Sequence, residues 1–163
     1  MTQKTPDLSA FIPPGWEGKL PPCQIQVNTQ GELYHNGAPL IHPGILELIY
    51  QAVRYQDGVY LLEMDGKRCQ LEVADTFWVV RSLDRRGDTL LLTLNDGNQE
   101  ELDPSSLWIG PQDVIYCRVK GGLPARFTRQ AYYQLAAFIE EDGDGFALRL
   151  GERSYPLTHG EKP

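Results

Sequence analysis

The sequence predicts an α+β fold in which two related units, each a hairpin, a helix and a further hairpin, pack together with mostly antiparallel sheets. Two stretches predict this architecture, "HNGAPLIHPGILELIYQAV" at 35–53 and "VKGGLPARFTRQAYYQLAAF" at 119–138. Each runs from a glycine through a proline into an apolar helix, and a hairpin pattern follows each helix. The 16 glycines and 12 prolines favour many turns and more strand than helix.

The first segment, residues 1–22, is predicted to be an extended proline-rich arm. Its sequence "IPPGWEGKLPP" favours extended backbone, because proline restricts both its own dihedral angle and the residue before it. The apolar residues Phe11, Ile12 and Trp16 lie within this arm, and they predict that it packs on the body of the protein.

Unit one is predicted over residues 23–75. "CQIQV" alternates polar and apolar residues as a half-buried strand does, and "NTQG" turns the chain into "ELYHNG". Pro43 suits the first turn of a helix, and Asp57-Gly58 is expected to end that helix. The hairpin "VYLLEM" and "RCQLEV" follows. The predicted apolar stripe of the helix is Ile45, Leu46, Leu48, Ile49, Ala52 and Val53.

Unit two is predicted over residues 76–157, and residues 158–163 are left as a tail. "FWVVRSL", "TLLLTL" and "VIYCRV" are predicted strands, and Thr128 is a predicted helix N-cap because its hydroxyl can accept from free backbone N–H groups. "EEDGDG" is expected to end this helix, and "FALRL" with "RSYPL" to form the last hairpin. The predicted apolar stripe is Ala131, Tyr132, Leu135, Phe138 and Ile139.

The two units match in the order of their elements. When Pro39 is set on Pro124, Gly37 falls on Gly122 and the two hairpins after the helices also align. A hairpin with one helix exposes an apolar face that a second copy can cover, which is a physical reason for duplication. Chance convergence on a common arrangement is the alternative, because the identity between the halves is low.

Composition and charge exclude several classes of protein. The net charge of −7 disfavours a broad nucleic-acid or anionic-lipid surface, which relies on clustered Lys and Arg. No apolar run reaches the ~18 residues of a membrane span. The N-terminus lacks the basic start and continuous apolar core of a secretion signal, so a cytoplasmic location is predicted. Cys23, Cys69 and Cys117 form no paired spacing, and we expect them to be small buried hydrophobes rather than a disulfide framework.

The strongest candidate site is a group called here the basic loop, which consists of Arg118, Lys120, Gly121, Gly122, Arg126 and Arg129. Four cations within twelve residues are unusual in so acidic a chain. Glycines let backbone N–H groups approach an anion, a helix N-terminus attracts one, and arginine binds phosphate or carboxylate with a planar fork. The alternative is structural, with alternate cations on a solvated strand face and the others paired with acidic side chains.

Four further residues are predicted to line the same site, namely Tyr34, His42, Asp75 and Tyr133. Tyrosine gives apolar area with a polar tip, although core packing is the alternative role. "EEDGDGF" imitates a calcium loop, but its twelfth position would be Gly151 instead of Glu. The three histidines share no metal-ligand spacing. The sequence therefore predicts no catalytic residue, no metal site and no cofactor.

Several of these residues also carry a resemblance to a known family. In unit one the relevant residues are Gly31, Tyr34, Gly37, Pro39 and Leu40. After the first hairpin, Asp75 is followed by Phe77-Trp78. In unit two they are Val119, Gly121, Gly122, Leu123, Arg129, Tyr133 and Leu135. This pattern, from about Pro21 to Leu157, resembles an uncharacterised bacterial family, domain of unknown function (DUF) 1285. The chain departs from the family pattern at Leu33, His42 and Lys120.

The resemblance implies a duplicated α+β architecture whose C-terminal half is similar to a pleckstrin-homology barrel. It also implies a ligand or partner site near the contact between the halves, in a signalling role. Our hypothesis is a non-enzymatic cytoplasmic module that binds a small anionic ligand or a protein partner. In this hypothesis, replacing Arg126 and Arg129 leaves folding intact and abolishes binding. The alternatives are an interaction domain with an exposed sheet edge and, third, a small enzyme that uses His42.

Overall fold

The computed structural model describes Phe11 and residues 20–163 of the chain. Most of the predicted N-terminal arm therefore lies outside the described residues, although the ring of Phe11 meets that of His35 edge-on at 4.9 Å. The chain forms two compact units. Unit 1 comprises residues up to Asn28 together with Glu32–Ala74, and unit 2 comprises Thr29–Gly31 and Asp75–Pro163.

Unit 1 is a six-stranded sheet with one helix. Its elements are β1 (Pro22–Val27), β2 (Leu33–His35), β3 (Ala38–Pro39), α1 (Pro43–Ala52), β4 (Val53–Gln56), β5 (Val59–Met64) and β6 (Lys67–Val73). The strand order is β3-β2-β1-β6-β5-β4, with β1 and β6 parallel and the other neighbours antiparallel. Alternate residues of β1 point inward, so Cys23, Ile25 and Val27 are all buried, as the period of "CQIQV" predicts.

The first helix ends earlier than predicted. It stops at Ala52, and the residues expected to continue to Asp57-Gly58 form β4, which pairs with β5. Asp57 and Gly58 both have positive φ, 52° and 78°, which suits a two-residue hairpin turn as well as a helix end. The prediction that Asp57-Gly58 ends α1 is therefore wrong, because the pair forms the turn between β4 and β5.

The prediction for two of the cysteines is wrong. Cys23 of β1 and Cys69 of β6 are buried, as expected, but they form a disulfide across these parallel neighbours. Their separation of 46 residues gave no paired spacing to recognise, because only the pairing of β1 with β6 brings the two sulfurs together. Cys117 is a free, buried thiol, as predicted.

Unit 2 holds two sheets and one helix. Its strands are β7 (Trp78–Arg86), β8 (Thr89–Leu94), β9 (Gln99–Glu101), β10 (Trp108–Ile109), β11 (Ile115–Val119), β12 (Leu123–Phe127), β13 (Ile139–Asp142), β14 (Gly145–Leu150), β15 (Arg153–Pro156) and β16 (Thr158–His159). The helix is α2 (Arg129–Ala136), and short 3-10 turns lie at Pro104–Ser106 and Pro111–Asp113. One sheet has the order β16-β10-β11-β12-β7-β8-β9, and the other is β13-β14-β15.

The seven-stranded sheet is mixed and open. β12 runs parallel to β7, and β16 runs parallel to β10, while the other neighbours are antiparallel. Its edges, β16 and β9, do not pair with each other, so the described residues contain no closed barrel. The overall class is therefore a mostly-sheet α+β fold with two helices in the part of the chain described, and the pleckstrin-homology likeness stays a prediction.

Two segments near α2 differ from the prediction. The pattern predicts that the chain runs from the glycine pair through the proline into the helix, but "LPARF" is strand β12, because it pairs with both β11 and β7. The helix ends at Ala136, and "IEED" forms β13 instead of leading to a helix stop in "EEDGDG". In addition, residues 158–163, predicted as a tail, contain β16. Each of these elements is short and depends on a partner strand that local pattern does not reveal.

Helix α2 is capped at its start and joined to strand β7 by a side-chain hydrogen bond. The Thr128 hydroxyl accepts from the Ala131 N–H at 3.2 Å, which confirms the predicted N-cap. Gln134 Oε1 accepts from the Leu83 N–H at 2.9 Å, beside an irregularity in the β7–β8 pairing. Of the predicted stripe, Ala131 and Leu135 are buried, but Tyr132 is 38% exposed, so its assignment to the core is wrong. None of the described helices is long and apolar enough to span a bilayer.

Candidate functional site

The ten candidate residues divide between the two units. Tyr34, on β2, and His42, just before α1, belong to unit 1. The other eight belong to unit 2, which are Asp75, Arg118, Lys120, Gly121, Gly122, Arg126, Arg129 and Tyr133. The prediction that all ten line one site stays a prediction, and the geometry below concerns each unit by itself.

Asp75 is the centre of the best-defined polar cluster of unit 2. Its side chain is only 2% exposed, and Oδ2 accepts from Tyr116 Oη at 2.7 Å and from Arg126 Nη1 at 3.0 Å. Its other oxygen, Oδ1, is buried and accepts no hydrogen bond from the described residues. Lys162 Nζ lies 3.9 Å from Oδ1. A buried carboxylate needs such partners because desolvation disfavours its charge.

Tyr116 donates to Asp75 over a wide pH range. Burial raises the pKa of the Tyr116 phenol, and the hydrogen bond to Asp75 raises the same pKa further. Its ring stacks on Trp108 with centroids 5.2 Å apart and an angle of 20°. The neighbouring thiol is also held protonated, because burial raises the pKa of Cys117. A protonated, inaccessible thiol is a poor nucleophile, so Cys117 is suited to packing.

Lys120 is an ion-pair residue rather than a free cation. Its ammonium group lies 2.6 Å from Asp96 Oδ2, whose side chain is 4% exposed, and 4.6 Å from the centroid of the Trp78 ring. The Lys120 backbone N–H donates to Glu100. Both the charge and the amide of this residue therefore have acidic partners within unit 2.

Arg118 is exposed, but its guanidinium group already contacts other residues of unit 2. Its Nη1 donates to the Gly122 carbonyl at 3.1 Å, and its guanidinium carbon lies 5.2 Å from the centroid of the Trp108 ring. Gly122 has φ of 135°, a conformation that favours glycine, and its N–H donates to Val119 O. The backbone N–H groups of Lys120 and Gly122 therefore both have acceptors already. Because a loop binds an anion through free backbone N–H groups, this turn is poorly suited to bind one.

Arg129 and Tyr133 differ from the rest of the basic loop and its neighbours. Both lie on α2 and are exposed, Tyr133 by 64%. Within the part of the chain that the structure describes, Arg129 makes no ion pair or side-chain hydrogen bond. The rings of Tyr132 and Tyr133 meet edge-on with centroids 5.8 Å apart. These side chains are available to a partner.

His42 is the N-cap of α1. Its Nδ1 accepts from the backbone N–H groups of Gly44 at 3.1 Å and Ile45 at 3.3 Å, and the residue is exposed. Pro43 follows at the first helical position, as predicted. The capping role commits Nδ1 to the backbone, so a catalytic use of His42 would have to rely on the other ring nitrogen alone.

Replacing His42 with Ala is expected to lower the free energy of unfolding by about 1 kcal/mol, as loss of an N-cap acceptor usually does. Urea unfolding followed by circular dichroism measures this change. His42→Asn is the matched control and should retain most of the stability, because its amide oxygen can accept the same bonds. Equal stability of the Ala variant and the wild type would contradict the capping role.

The fold has known counterparts. No family model matches the chain, and no curated protein matches it. A crystal structure of a DUF1285 family protein from Silicibacter pomeroyi DSS-3 matches 96% of this chain and 89% of its own, with a TM-score of 0.69 and 19% identity. One from Shewanella baltica OS155 matches 69% of this chain and 90% of its own, with a TM-score of 0.59 and 18% identity. The fold is that of DUF1285 proteins.

The resemblance to DUF1285 is thereby confirmed at the level of the fold. With identities of 18% and 19%, the likeness carries the architecture and not a shared ligand. The site of this DUF1285 fold must therefore be argued from its own residues.

An open cleft of about 670 Å³ lies elsewhere in unit 2, and none of the candidate residues lines it. Its charged lining consists of Asp88, Glu101, Glu152 and Arg153. Three carboxylates against one guanidinium do not suit an anion. Among the described residues of this DUF1285 fold, no group of three His, Cys, Asp or Glu side chains could hold a metal ion.

Sequence reasoning missed two parts of the Asp75 cluster. Trp108 is not among the candidate residues, and residues 160–162 fall in the predicted tail, yet Trp108 Nε1 donates to Glu161 O at 3.0 Å. One signal in the sequence could have placed Trp108 beside Tyr116, because these two residues flank a glycine-proline turn. Asp96 was also missed as the partner of Lys120, because it lies 24 residues away in a turn.

Proposed function

We propose that the protein is a non-enzymatic binding module that holds a protein partner on one exposed face of α2. This surface, called here the α2 face, consists of Arg129, Tyr132, Tyr133 and Ala136. The carrying observation is that two tyrosines and an arginine are exposed on the same eight-residue helix. A role in signalling, which the family resemblance implies, is part of this proposal.

The spacing supports a single continuous surface. Residues at i, i+3, i+4 and i+7 share one face of a helix, and positions 129, 132, 133 and 136 follow this spacing. The opposite side of α2 is occupied, because Ala131 and Leu135 are buried and Gln134 binds Leu83. Tyr and Arg are the residue types that contribute most to binding at protein interfaces.

Charge supports a protein partner over a small anion. Two cations of the basic loop, Lys120 and Arg126, already contact the nearly buried carboxylates of Asp96 and Asp75. An anion would have to compete with these pairs. Arg129 remains, and it can pair with a carboxylate at the rim of an interface while the tyrosines supply apolar area.

The order of elements also supports duplication, which we propose as the origin of the architecture. Unit 1 runs hairpin β2–β3, helix α1 and meander β4–β6, and unit 2 runs hairpin β11–β12, helix α2 and meander β13–β15. Both hairpin turns begin with left-handed residues, at 36–37 and at 120–121. The copies differ in that the meander of unit 1 joins the main sheet, whereas that of unit 2 is a separate sheet.

The α2 face can be tested by capture of a partner on the immobilised full chain. Tyr133→Ser should weaken capture at least tenfold, since truncation of an interface hot spot costs about 2 kcal/mol or more. Gln130→Ser, an exposed change on the same helix but off the α2 face, is the matched control and should capture normally. Both variants should melt at the wild-type temperature, because both side chains are exposed.

Two results would contradict this proposal. One is undiminished capture by Tyr133→Ser together with Arg129→Ala. The other is a rise in melting temperature with a nucleotide, a sugar phosphate or a carboxylate that Arg129→Ala abolishes, which would identify a small anion as the ligand instead.

A further inference from the structure

Residues 158–162, called here the strap, lie along the edge of the seven-stranded sheet. Thr158 and His159 form β16 and pair in parallel with Trp108 and Ile109 of β10. The Gly160 N–H continues the ladder by donating to Ile109 O at 2.9 Å. Without the strap, β10 would be the edge strand in the part of the chain that the structure describes. The chain thus adds its own short strand to an edge, which is the geometry of peptide recognition by strand addition.

Gly160 fits against the ring of Trp108 because it has no side chain. A Cβ at this position would lie 2.8 Å from Trp108 Cδ1, closer than real Cβ contacts allow. Trp108 is fixed from its other contacts, since it stacks on Tyr116 and lies beside the Arg118 guanidinium. The Trp108 ring, called here the aromatic wall, is therefore held in place at this edge. Against it, this position of the strand accommodates glycine and not a larger residue.

Two residues further on, the strap reaches the buried carboxylate. Lys162 Nζ is 3.9 Å from Asp75 Oδ1, the oxygen that accepts no hydrogen bond from the described residues. Tyr116 and Arg126 use only Oδ2. The buried carboxylate thus keeps one acceptor available for a cation brought along this edge.

We propose that β10, Trp108, Tyr116 and Asp75 form a peptide groove that the strap fills in cis. The groove accepts in trans an extended, lysine-bearing segment of another protein, with a glycine against Trp108 and the lysine two residues later at Asp75. This surface is separate from the α2 face. The strap works as a built-in competitor, present at the high effective concentration of a tethered ligand, so a partner binds only when the strap is released.

The strap is held by few contacts, so a segment of a partner can displace it. Its strand spans two residues, and every residue from 158 to 162 is exposed. The Lys162 side chain is 59% exposed, so its ion pair is screened by solvent. Release would leave the aromatic wall and the carboxylate in place, because both are held by contacts within the body of unit 2.

The test uses the full chain with Gly160→Val, which drives the strap away from Trp108. The probe is a fluorescein-labelled synthetic peptide with the sequence of residues 155–163, "YPLTHGEKP", followed by fluorescence anisotropy. We expect the Gly160→Val chain to bind this peptide at least tenfold more tightly than the wild type does. Gly145→Val is the matched control, because a Cβ there meets nothing closer than 3.9 Å, and it should behave as the wild type.

Changes in the peptide then test recognition without disturbing the protein. A peptide with valine for the glycine should not bind, and one with glutamine for the lysine should bind several-fold more weakly. Absence of peptide binding by a Gly160→Val chain with a normal circular dichroism spectrum would overturn the proposal. So would equal binding of all three peptides, or size-exclusion and mixed-dimer experiments that show the wild type exchanging its strap with a second copy.

Discussion

Replacing Arg126 with Met is expected to lower the free energy of unfolding by about 3 kcal/mol, the low end of the range for breaking a buried ion pair. The reason is the partner left behind. Asp75 is 2% exposed, and among the described residues it would keep the Tyr116 hydroxyl as its hydrogen-bond donor and the exposed Lys162 ammonium 3.9 Å from its other oxygen. The hypothesis of an anion site in the basic loop predicts that this arginine can be replaced without loss of folding. The contact with Asp75 predicts the opposite, and urea unfolding of the full chain decides between them.

Arg129→Met is the matched control for this experiment. It removes the same side chain three positions along, where the arginine is exposed, and should change the unfolding free energy by less than about 0.5 kcal/mol. Combining Arg126→Met with Asp75→Asn should recover part of the loss, because the second change removes the unpaired charge. Equal stability of Arg126→Met and Arg129→Met would show that Arg126 has no structural role.

Breaking the disulfide is expected to destabilise the protein by about 4 kcal/mol, measured with Cys23→Ala and Cys69→Ala combined. The estimate follows from the chain entropy that a cross-link over 46 residues removes from the unfolded state. Urea unfolding of the wild type with and without a reductant gives the same comparison. The double variant is its own control, since a reductant should not change its stability.

The disulfide can also be tested by counting the free thiols. Under denaturing conditions without a reductant, a thiol reagent should label only Cys117, and after reduction it should label all three cysteines of the sequence. Labelling of three without reduction would contradict the disulfide. Applied to protein taken directly from cells, the count also tests the cytoplasmic prediction, because disulfides persist mainly in oxidising compartments.

The local elements with strong chemistry were predictable from the sequence. Proline at the start of α1, the Thr128 hydroxyl before α2 and the alternation of "CQIQV" each act through neighbouring residues, and the structure contains all three. The break at Asp57-Gly58 also acts locally, but it forms a hairpin turn and not the predicted helix end. The mostly-sheet α+β class and the likeness to DUF1285 proteins were likewise predictable.

The basic loop was visible in the sequence, but the sequence could not show the charge around it. Lys120 meets Asp96 across 24 residues, and Arg126 meets Asp75 across 51. Such pairs depend on which strands become neighbours, and no local pattern records that choice. The number of cations in the sequence therefore overestimates the net positive charge of this region.

The sequence by itself determined the class of fold, the helix starts, the turns and most of the buried strand positions, because these follow from backbone geometry and from periodicities of two and 3.6 residues. Only the tertiary structure decided the disulfide, the pairing of β12 with β7, the ion pairs of the basic loop and the docking of the strap on β10. Each of these joins residues far apart in the chain, so its free energy exists only once the sheets have formed.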